Sequence, residues 1–304
     1  MSGLLRGRGG GPGRLRELLE GPGTVLAPGA YDPLGARLVE EAGFPAVYMT
    51  GFGTSAGLAG VPDVGLLTMT EMADNARRIA GVVDIPLIAD ADDGYGNPIN
   101  VIRAIRTYET GGVAGVHVED QVSPKKCGHM EGKQVIPAEE MYQKVRAATE
   151  ARENPDFVII ARTDARAVEG LESAVERAKL YRKAGADALF VEAVRSDEEA
   201  EFVADALPDV PLLFNWAEGG KTPPLELSRI EELGFRIVIF PVGTLLAATH
   251  GMRELLAHIR EHGTPAGMLD RLPSFGEFLD FIGLPEVKEL EQRYGGAAGG
   301  DEEA

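Results

Sequence analysis

The segment Lys125-Lys126-Cys127-Gly128-His129 holds the only cysteine of a 304-residue chain. A lone cysteine is more often buried filler than a working group. Lys125, Lys126 and His129 shift that expectation, because positive charge beside a thiol favours the thiolate and brings its pKa toward about 7. Such a thiol can give or take a proton on carbon. Gly128 and Gly132 are expected to let the segment open and close as a lid. Zinc is not expected, since one Cys and one His offer about two of the roughly four ligands that zinc sites use.

A second constellation is "DADDGYGNP". Asp90 and Asp92 are two apart, so on a strand both side chains face the same way and can converge on one hard cation, with Asp93 pointing away. Gly94 and Gly96 let the backbone turn sharply beside them. Oxygen ligands without nearby His or Cys favour Mg²⁺, with Mn²⁺ as the other choice, and Glu119 adds a third carboxylate to the same mouth. An Asp-rich turn with no ion is the plainer reading of the motif alone. Arg162 can grip a substrate carboxylate with two nitrogens, or be fixed in a salt bridge to Asp164 or Glu192. Lys221 and Thr222 in "EGGKTP" offer another anion-contacting loop, or an ordinary turn.

These residues need a scaffold that brings them together. Four segments, "EAGFPAVYMTG", "TGGVAGVHVED", "KAGADALFVEA" and "ELGFRIVIFPV", each end a predicted helix near a glycine and then start a short apolar run. Further apolar runs at 24–30, 86–92, 157–164 and 210–216 bring the candidate strands to eight. Nearly continuous apolar strands imply parallel pairing covered on both faces. The intervening stretches are amphipathic, as in 170–185, where Leu171, Ala174, Val175, Ala178 and Leu180 or Tyr181 make a helical stripe. Eight alternating units point to a closed (β/α)8 barrel of TIM type. In such barrels the site lies at the carboxyl ends of the strands, where this sequence turns polar: Tyr48, Thr50 and Gly51; Asp90 and Asp92; Glu119 and Asp120; Arg162 and Asp164; Glu192; Asn215.

Composition narrows the function. A formal net charge of −18 disfavours nucleic acid and anionic membrane surfaces, and an anionic substrate then needs a local cationic pocket. The amino terminus lacks the apolar core of a secretory signal, and no run of eighteen apolar residues occurs, so neither secretion nor a membrane span is expected. A single cysteine makes a reducing cytoplasm the default compartment. Residues 1–12 and 296–304 are expected to be disordered, leaving 13–295 as the barrel with a helical extension from about 273. In that extension Phe275, Phe278, Leu279, Phe281, Ile282 and Leu284 form an apolar face that must pack on the barrel or on another subunit.

Over roughly residues 13 to 295 the chain resembles the isocitrate lyase/phosphoenolpyruvate mutase superfamily. The resemblance is carried by "PGAYDPLGARLVEEAGFPAVYMTGFGTSAGLAGVPDVG", "IADADDGYGN", "GVHVEDQVSPKKCGHMEGK", "IIARTDA" and "EGGKTP". It implies a barrel whose last helix is exchanged between subunits, usually in homotetramers. It further implies that Asp63, Asp90, Asp92 and Glu119 surround Mg²⁺ directly or through waters. Tyr48, Thr50, Gly51 and Phe52 would cradle an α-keto acid portion, Arg162 and Asn215 would grip carboxylate oxygens with Glu192 behind them, and Gly128 joins the substrate-binding positions. Cys127 matches the general acid of the lyases, with Lys125 and His129 counted beside it as catalytic.

The chemistry so implied is retro-aldol or retro-Claisen cleavage of a 2-hydroxy dicarboxylate to a keto acid and a carboxylate, with Tyr48 as candidate base. Isocitrate lyases proper carry an insertion for which this chain has no room. Methylisocitrate lyases usually place Arg after Cys-Gly-His where Met130 stands, which disfavours a tricarboxylate. Lyases of simpler substituted malates fit better, with activity on oxaloacetate also open. Carboxyphosphonoenolpyruvate phosphonomutase chemistry is the main alternative, and a barrel that binds keto acids without turning them over is the alternative of another class.

Overall fold

Residues 10–295 are described by a computed structural model. Its eight strands are β1 (Val25–Ala30), β2 (Val47–Met49), β3 (Leu87–Asp90), β4 (Gly115–Glu119), β5 (Val158–Thr163), β6 (Ala188–Val191), β7 (Leu213–Asn215) and β8 (Ile237–Phe240). They run parallel in sequence order round one sheet, with β1 also beside β8, and a Leu189–Leu212 bridge brings β6 against β7. This is the (β/α)8 barrel expected from the alternating pattern.

The apolar strands read as continuous because both their faces are covered. Inward-facing Tyr48, Ile88, Ile160, Phe190, Leu213, Ile237 and Ile239 form one buried cluster, joined by Leu15 and Leu19 of the helix Pro12–Glu20. The opposite strand faces join the helices in a larger cluster that includes Met49, Val116, Ile159 and Leu189. Gly115 shows how tightly the amino-terminal helix fits: a Cβ there would lie 2.8 Å from Val158 and 3.1 Å from the Leu15 side chain. In the helix Leu171–Lys183 the buried positions are Ala174, Val175, Arg177, Ala178 and Tyr181, so the stripe continues through Tyr181 rather than Leu180.

Two departures matter for the site. The run expected to stay extended to residue 92 leaves the sheet at Asp90, and Asp92 takes a left-handed backbone (φ 47°). The residues after β2 form a helical turn, Gly51–Thr54, that continues as a π-helical turn, Ser55–Ala59, with the Thr50 hydroxyl accepting from the Gly53 N–H.

The chain divides into two compact units, and all eight strands lie in the first, which ends at Leu246. The helix Gly243–His262 runs on into the second, which also holds a 3-10 turn, Ala266–Arg271, and the helices Phe275–Phe281 and Leu284–Tyr294. Ser274 and Glu277 form a capping box at the start of Phe275–Phe281, which fixes that terminus locally. None of the residues in these elements is buried, and Phe275 is 79% exposed. The expected disorder of residues 1–9 and 296–304 lies outside the described residues; the helix that begins at Pro12 is within them.

Candidate active site

A cavity of about 220 Å³ opens where β2 to β8 end, lined by Tyr48, Thr50, Phe52, Asp63, Asp90, Cys127, Gly128, His129, Arg162, Glu192 and Asn215, with Glu218, Pro241, Val242 and Leu246 at one side. β3, β5, β6 and β7 deliver Asp90, Arg162, Glu192 and Asn215 at or next to their last residues, and β2 delivers Tyr48 and Thr50. Tyr48, Thr50, Asp90, Arg162, Glu192 and Asn215, picked out from the sequence, therefore converge on it, whereas Asp120 turns away to accept from Thr163, Arg177 and Tyr181.

Asp90 and Asp92 come together by a turn rather than by strand alternation, because the Asp92 N–H donates to Asp90 Oδ1 at 2.9 Å. Asp93 closes that turn by accepting from the Tyr95 N–H. Gly51 packs directly on this cluster; a Cβ there would stand 2.3 Å from Asp90 Oδ2. Asp63, Asp90, Asp92 and Glu119 are all buried. Burial pushes the Asp92 and Glu119 carboxyls up, Asp92 also through its neighbours Asp90 and Asp63, while Asp90, burdened by the same burial, is drawn down by His117, Lys125 and Arg162. The cluster is short of positive charge.

Lys125 supplies some of it. Its ammonium lies 2.6 Å from Asp63 Oδ1 and 2.5 Å from Asp92 Oδ1, and its own pKa is held high by these carboxylates against the effect of burial. The expectation that Lys125 lowers the thiol pKa of Cys127 is therefore corrected: its charge is spent on aspartates. Lys126 likewise turns to the Gly132 carbonyl at 3.0 Å. Burial wins at Cys127, pushing the thiol up to about 11 against a backbone N–H at His129 that lowers it. The raised pKa favours the thiol over the thiolate at neutral pH, the resting state from which a proton can be donated.

His129 also works differently from its expected role beside the thiol. Its Nδ1 accepts from the Lys221 N–H at 3.0 Å, which places the proton on Nε2, 3.3 Å from Glu192 Oε1. Burial lowers its pKa, so the ring is predominantly neutral at pH 7. The "EGGKTP" loop thus serves as a seat for His129, while the Lys221 ammonium pairs with Glu131.

Arg162 takes the ion-pair arrangement left open by the sequence. Nε and Nη2 donate to Asp164 at 3.0 and 3.2 Å, Nη1 lies 3.2 Å from Glu119 Oε2, and Nη2 lies 3.5 Å from Glu192 Oε2. It still lines the cavity. Asn215 spends its amide N–H groups on Glu192 and leaves Oδ1 without a partner.

Tyr48, the candidate base, has its phenol pushed well above its usual pKa by burial and by Asp90, so it is a hydrogen-bond donor rather than a ready base. Its hydroxyl pairs with His117 Nε2 at 2.8 Å. The sequence reading overlooked His117, although a lone histidine among the apolar residues of "GVHVED" was a visible signal. It also overlooked Lys133 and Glu218, and gave Asp164 no role beyond a possible partner for Arg162. Trp216 donates its indole N–H to the Leu225 carbonyl and is absent from the cavity wall.

The acidic cluster offers only hard oxygen donors. Glu119 Oε1 has no donor at all, while Glu119 Oε2 and Asp92 Oδ1 have ion pairs without hydrogen-bond geometry. With Lys125 placed as it is, no three His, Cys, Asp or Glu groups among the described residues converge tightly enough to chelate an ion unaided. The unpartnered carboxylate oxygens fit a cation of the Mg²⁺ kind, which takes few protein oxygens and keeps waters and substrate oxygens.

A parallel barrel with buried carboxylates, an arginine and a protonated thiol at its carboxyl mouth defines a class of enzyme-like site. The chain matches the family described as phosphoenolpyruvate phosphomutase over residues 15–260, and it belongs to the isocitrate lyase/phosphoenolpyruvate mutase superfamily. It is 46% identical over 281 residues to 2,3-dimethylmalate lyase of Eubacterium barkeri, covering 92% of this chain and 97% of that protein. Its fold matches that of oxaloacetate acetylhydrolase in complex with 3,3-difluorooxalacetate with a TM-score of 0.90 at 40% identity, over 96% of this chain and 100% of that one. It matches phosphonopyruvate hydrolase in complex with oxalate and Mg²⁺ with a TM-score of 0.86 at 34% identity, over 93% and 98% of the two chains.

Proposed function

We propose that this protein is a Mg²⁺-dependent carbon–carbon lyase that cleaves a 2-hydroxy dicarboxylate such as a substituted malate to a keto acid and a carboxylate, or oxaloacetate, taken as its hydrate, to two carboxylates. The observation that carries this reading is that Cys127 lines the same cavity as Asp63, Asp90 and Arg162, with burial favouring its thiol form. Asp63, Asp90, Asp92 and Glu119 would hold the metal, which when bound supplies charge stabilisation for oxygens of the keto-acid half.

For a hydroxy substrate, the chain's own groups divide the remaining work. Arg162 and Asn215 face the cavity where a carboxylate would lie, with Glu192 fixing both. Tyr48 offers a phenolic hydroxyl oriented by His117, which leaves the cavity carboxylates to accept the substrate's hydroxyl proton. The bond between the hydroxyl-bearing carbon and its neighbour breaks, and its electron pair becomes an enolate on the departing carboxylate. Cys127 then gives its thiol proton to that carbon. The loop carrying Cys127, packed on Arg162 and Glu192 through Gly128, limits water at the enolate.

Met130 is exposed and absent from the cavity wall, and Phe52, Pro241, Val242 and Leu246 give that wall an apolar side. Both observations support a dicarboxylate with a small apolar substituent over a tricarboxylate. Membership of a family described as phosphoenolpyruvate phosphomutase favours one second reading, phosphonomutase chemistry that forms a carbon–phosphorus bond. Incubation with 2-alkylmalates, dimethylmalate, methylisocitrate and oxaloacetate, with and without chelator, separates the two by mass spectrometry. Silence on every carbon substrate from folded, Mg²⁺-binding protein would favour the mutase.

The assembly belongs to the same reading. The exposed Phe275, Phe278 and Ile282 in the carboxyl-terminal unit would pack on another copy in a homotetramer that exchanges its last helices. Among the described residues no helix is long and apolar enough to cross a membrane. A cytoplasmic location and a small-molecule partner, rather than nucleic acid or lipid, complete the proposal.

A further inference from the structure

The segment between β4 and the helix Ala138–Ala151 carries Cys127, and its seating on the barrel is specific. The Gln121 side chain clamps the Lys126 backbone with two hydrogen bonds, Nε2 donating to the carbonyl at 2.8 Å and Oε1 accepting from the N–H at 2.9 Å. The Cys127 N–H donates to the Asp63 carbonyl at 3.0 Å. Gly128 approaches so closely that a Cβ would lie 2.5 Å from Arg162 Nη2 and 2.7 Å from Glu192.

One cation ties this seat to the barrel wall. The Lys133 side chain is 1% exposed; its ammonium donates to the Gly128 carbonyl and lies 3.3 Å from Asp164 Oδ1. Asp164 is fully buried just past β5 and also holds Arg162 through two hydrogen bonds. An ammonium is buried this deeply only when its charge is matched, and Asp164 matches it. Lys133 therefore cannot leave for water without uncovering Asp164, and while it stays the carbonyl after Cys127 is held in place.

We propose that Lys133 is a positioning residue, a latch that anchors the Cys127–Gly128 segment to Asp164 and so sets where the thiol proton is delivered. For catalysis this rests on the reading of Cys127 as the proton donor. The latch itself is a statement about loop position and is measurable without substrate.

Cys127 is the only cysteine in the chain, so its alkylation reports this loop alone. The test compares iodoacetamide labelling of wild type, Lys133→Met and Lys133→Gln by intact mass, with Cys127→Ser as the unlabelled control and near-UV circular dichroism to establish folding. A hydrogen bond to a charged group is strong enough that Lys133→Met should label about tenfold faster or more. Removing a cation does not make a neighbouring thiol more acidic, so a faster rate reads access. Lys133→Gln, which keeps an N–H donor but no charge, should fall between the two, and serves alone if Lys133→Met does not fold. With an active substrate, kcat should drop more than KM changes. Folded variants that label at the wild-type rate overturn the latch, whether or not the lyase reading holds; faster labelling without any cleavage in wild type overturns the lyase reading and leaves the latch standing.

Discussion

The Lys125 ammonium lies 2.5 Å from Asp92 Oδ1, in the middle of the acidic cluster and turned away from the thiol two residues along the chain. Its charge is part of what keeps four buried carboxylates tolerable. Replacing it by Met should destabilise the metal-free protein by about 3–5 kcal/mol, the usual consequence of removing one partner of a buried pair. Added Mg²⁺ should narrow that gap in urea unfolding, because a second cation then serves the same oxygens. A gap indifferent to Mg²⁺ would count against cation binding there.

The carboxylates themselves give a cleaner test of the metal. Asp92→Asn and Glu119→Gln should each weaken Mg²⁺ binding, measured calorimetrically, and excess chelator should abolish activity in wild type. Full activity in chelator would sink the metal assignment.

The half-buried thiol makes a prediction about alkaline stability. Its folded pKa of about 11 stands above the ordinary value of 9.0, so between those values the native state retains a proton that the unfolded chain has released. The contribution is complete below pH 9 and is lost as pH rises through 11. Wild type should therefore lose about 2–3 kcal/mol over that window relative to Cys127→Ser, in which the position does not titrate. Parallel stability curves for the two proteins would contradict the raised pKa.

Gly51 has no room for a side chain against Asp90. Gly51→Ala should shift the Asp90 carboxylate by a fraction of an ångström and lower kcat/KM on the order of 10²-fold, as small misplacements in a preorganised site do. Steady-state kinetics alongside a melting curve would show whether the loss is local; wild-type kinetics in the variant would rule out the close approach.

Much of this architecture is legible in the sequence, for reasons that differ by element. The barrel is readable because strands covered on both faces must be apolar throughout, and Val158–Thr163 or Ile237–Phe240 could hardly be anything else. Asp90, Glu119, Arg162 and Asn215 are readable because a polar residue ending such a strand points into the mouth. The state of Cys127 was not readable, since neighbours in sequence are not neighbours in charge: Lys125 and Lys126 turn to Asp92 and the Gly132 carbonyl, and burial then decides the pKa. The latch at Lys133 was hidden for the opposite reason, its partner Asp164 lying far along the chain on another strand end.

The carboxyl-terminal apolar face gives a prediction at the level of assembly. Truncation before Pro273 should reduce a tetramer to smaller species by light scattering, because Phe275, Phe278 and Ile282 would no longer be available to a neighbouring copy. An unchanged tetramer would exclude helix exchange as its basis.

The most direct test of the central claim is cleavage in D₂O. Protein, Mg²⁺ and the best malate-type substrate should yield a keto acid and a carboxylate bearing one deuterium on the carbon that left, and Cys127→Ser should yield neither while still binding Mg²⁺. No cleavage by the wild type, or undiminished deuterated product from Cys127→Ser, would contradict the account.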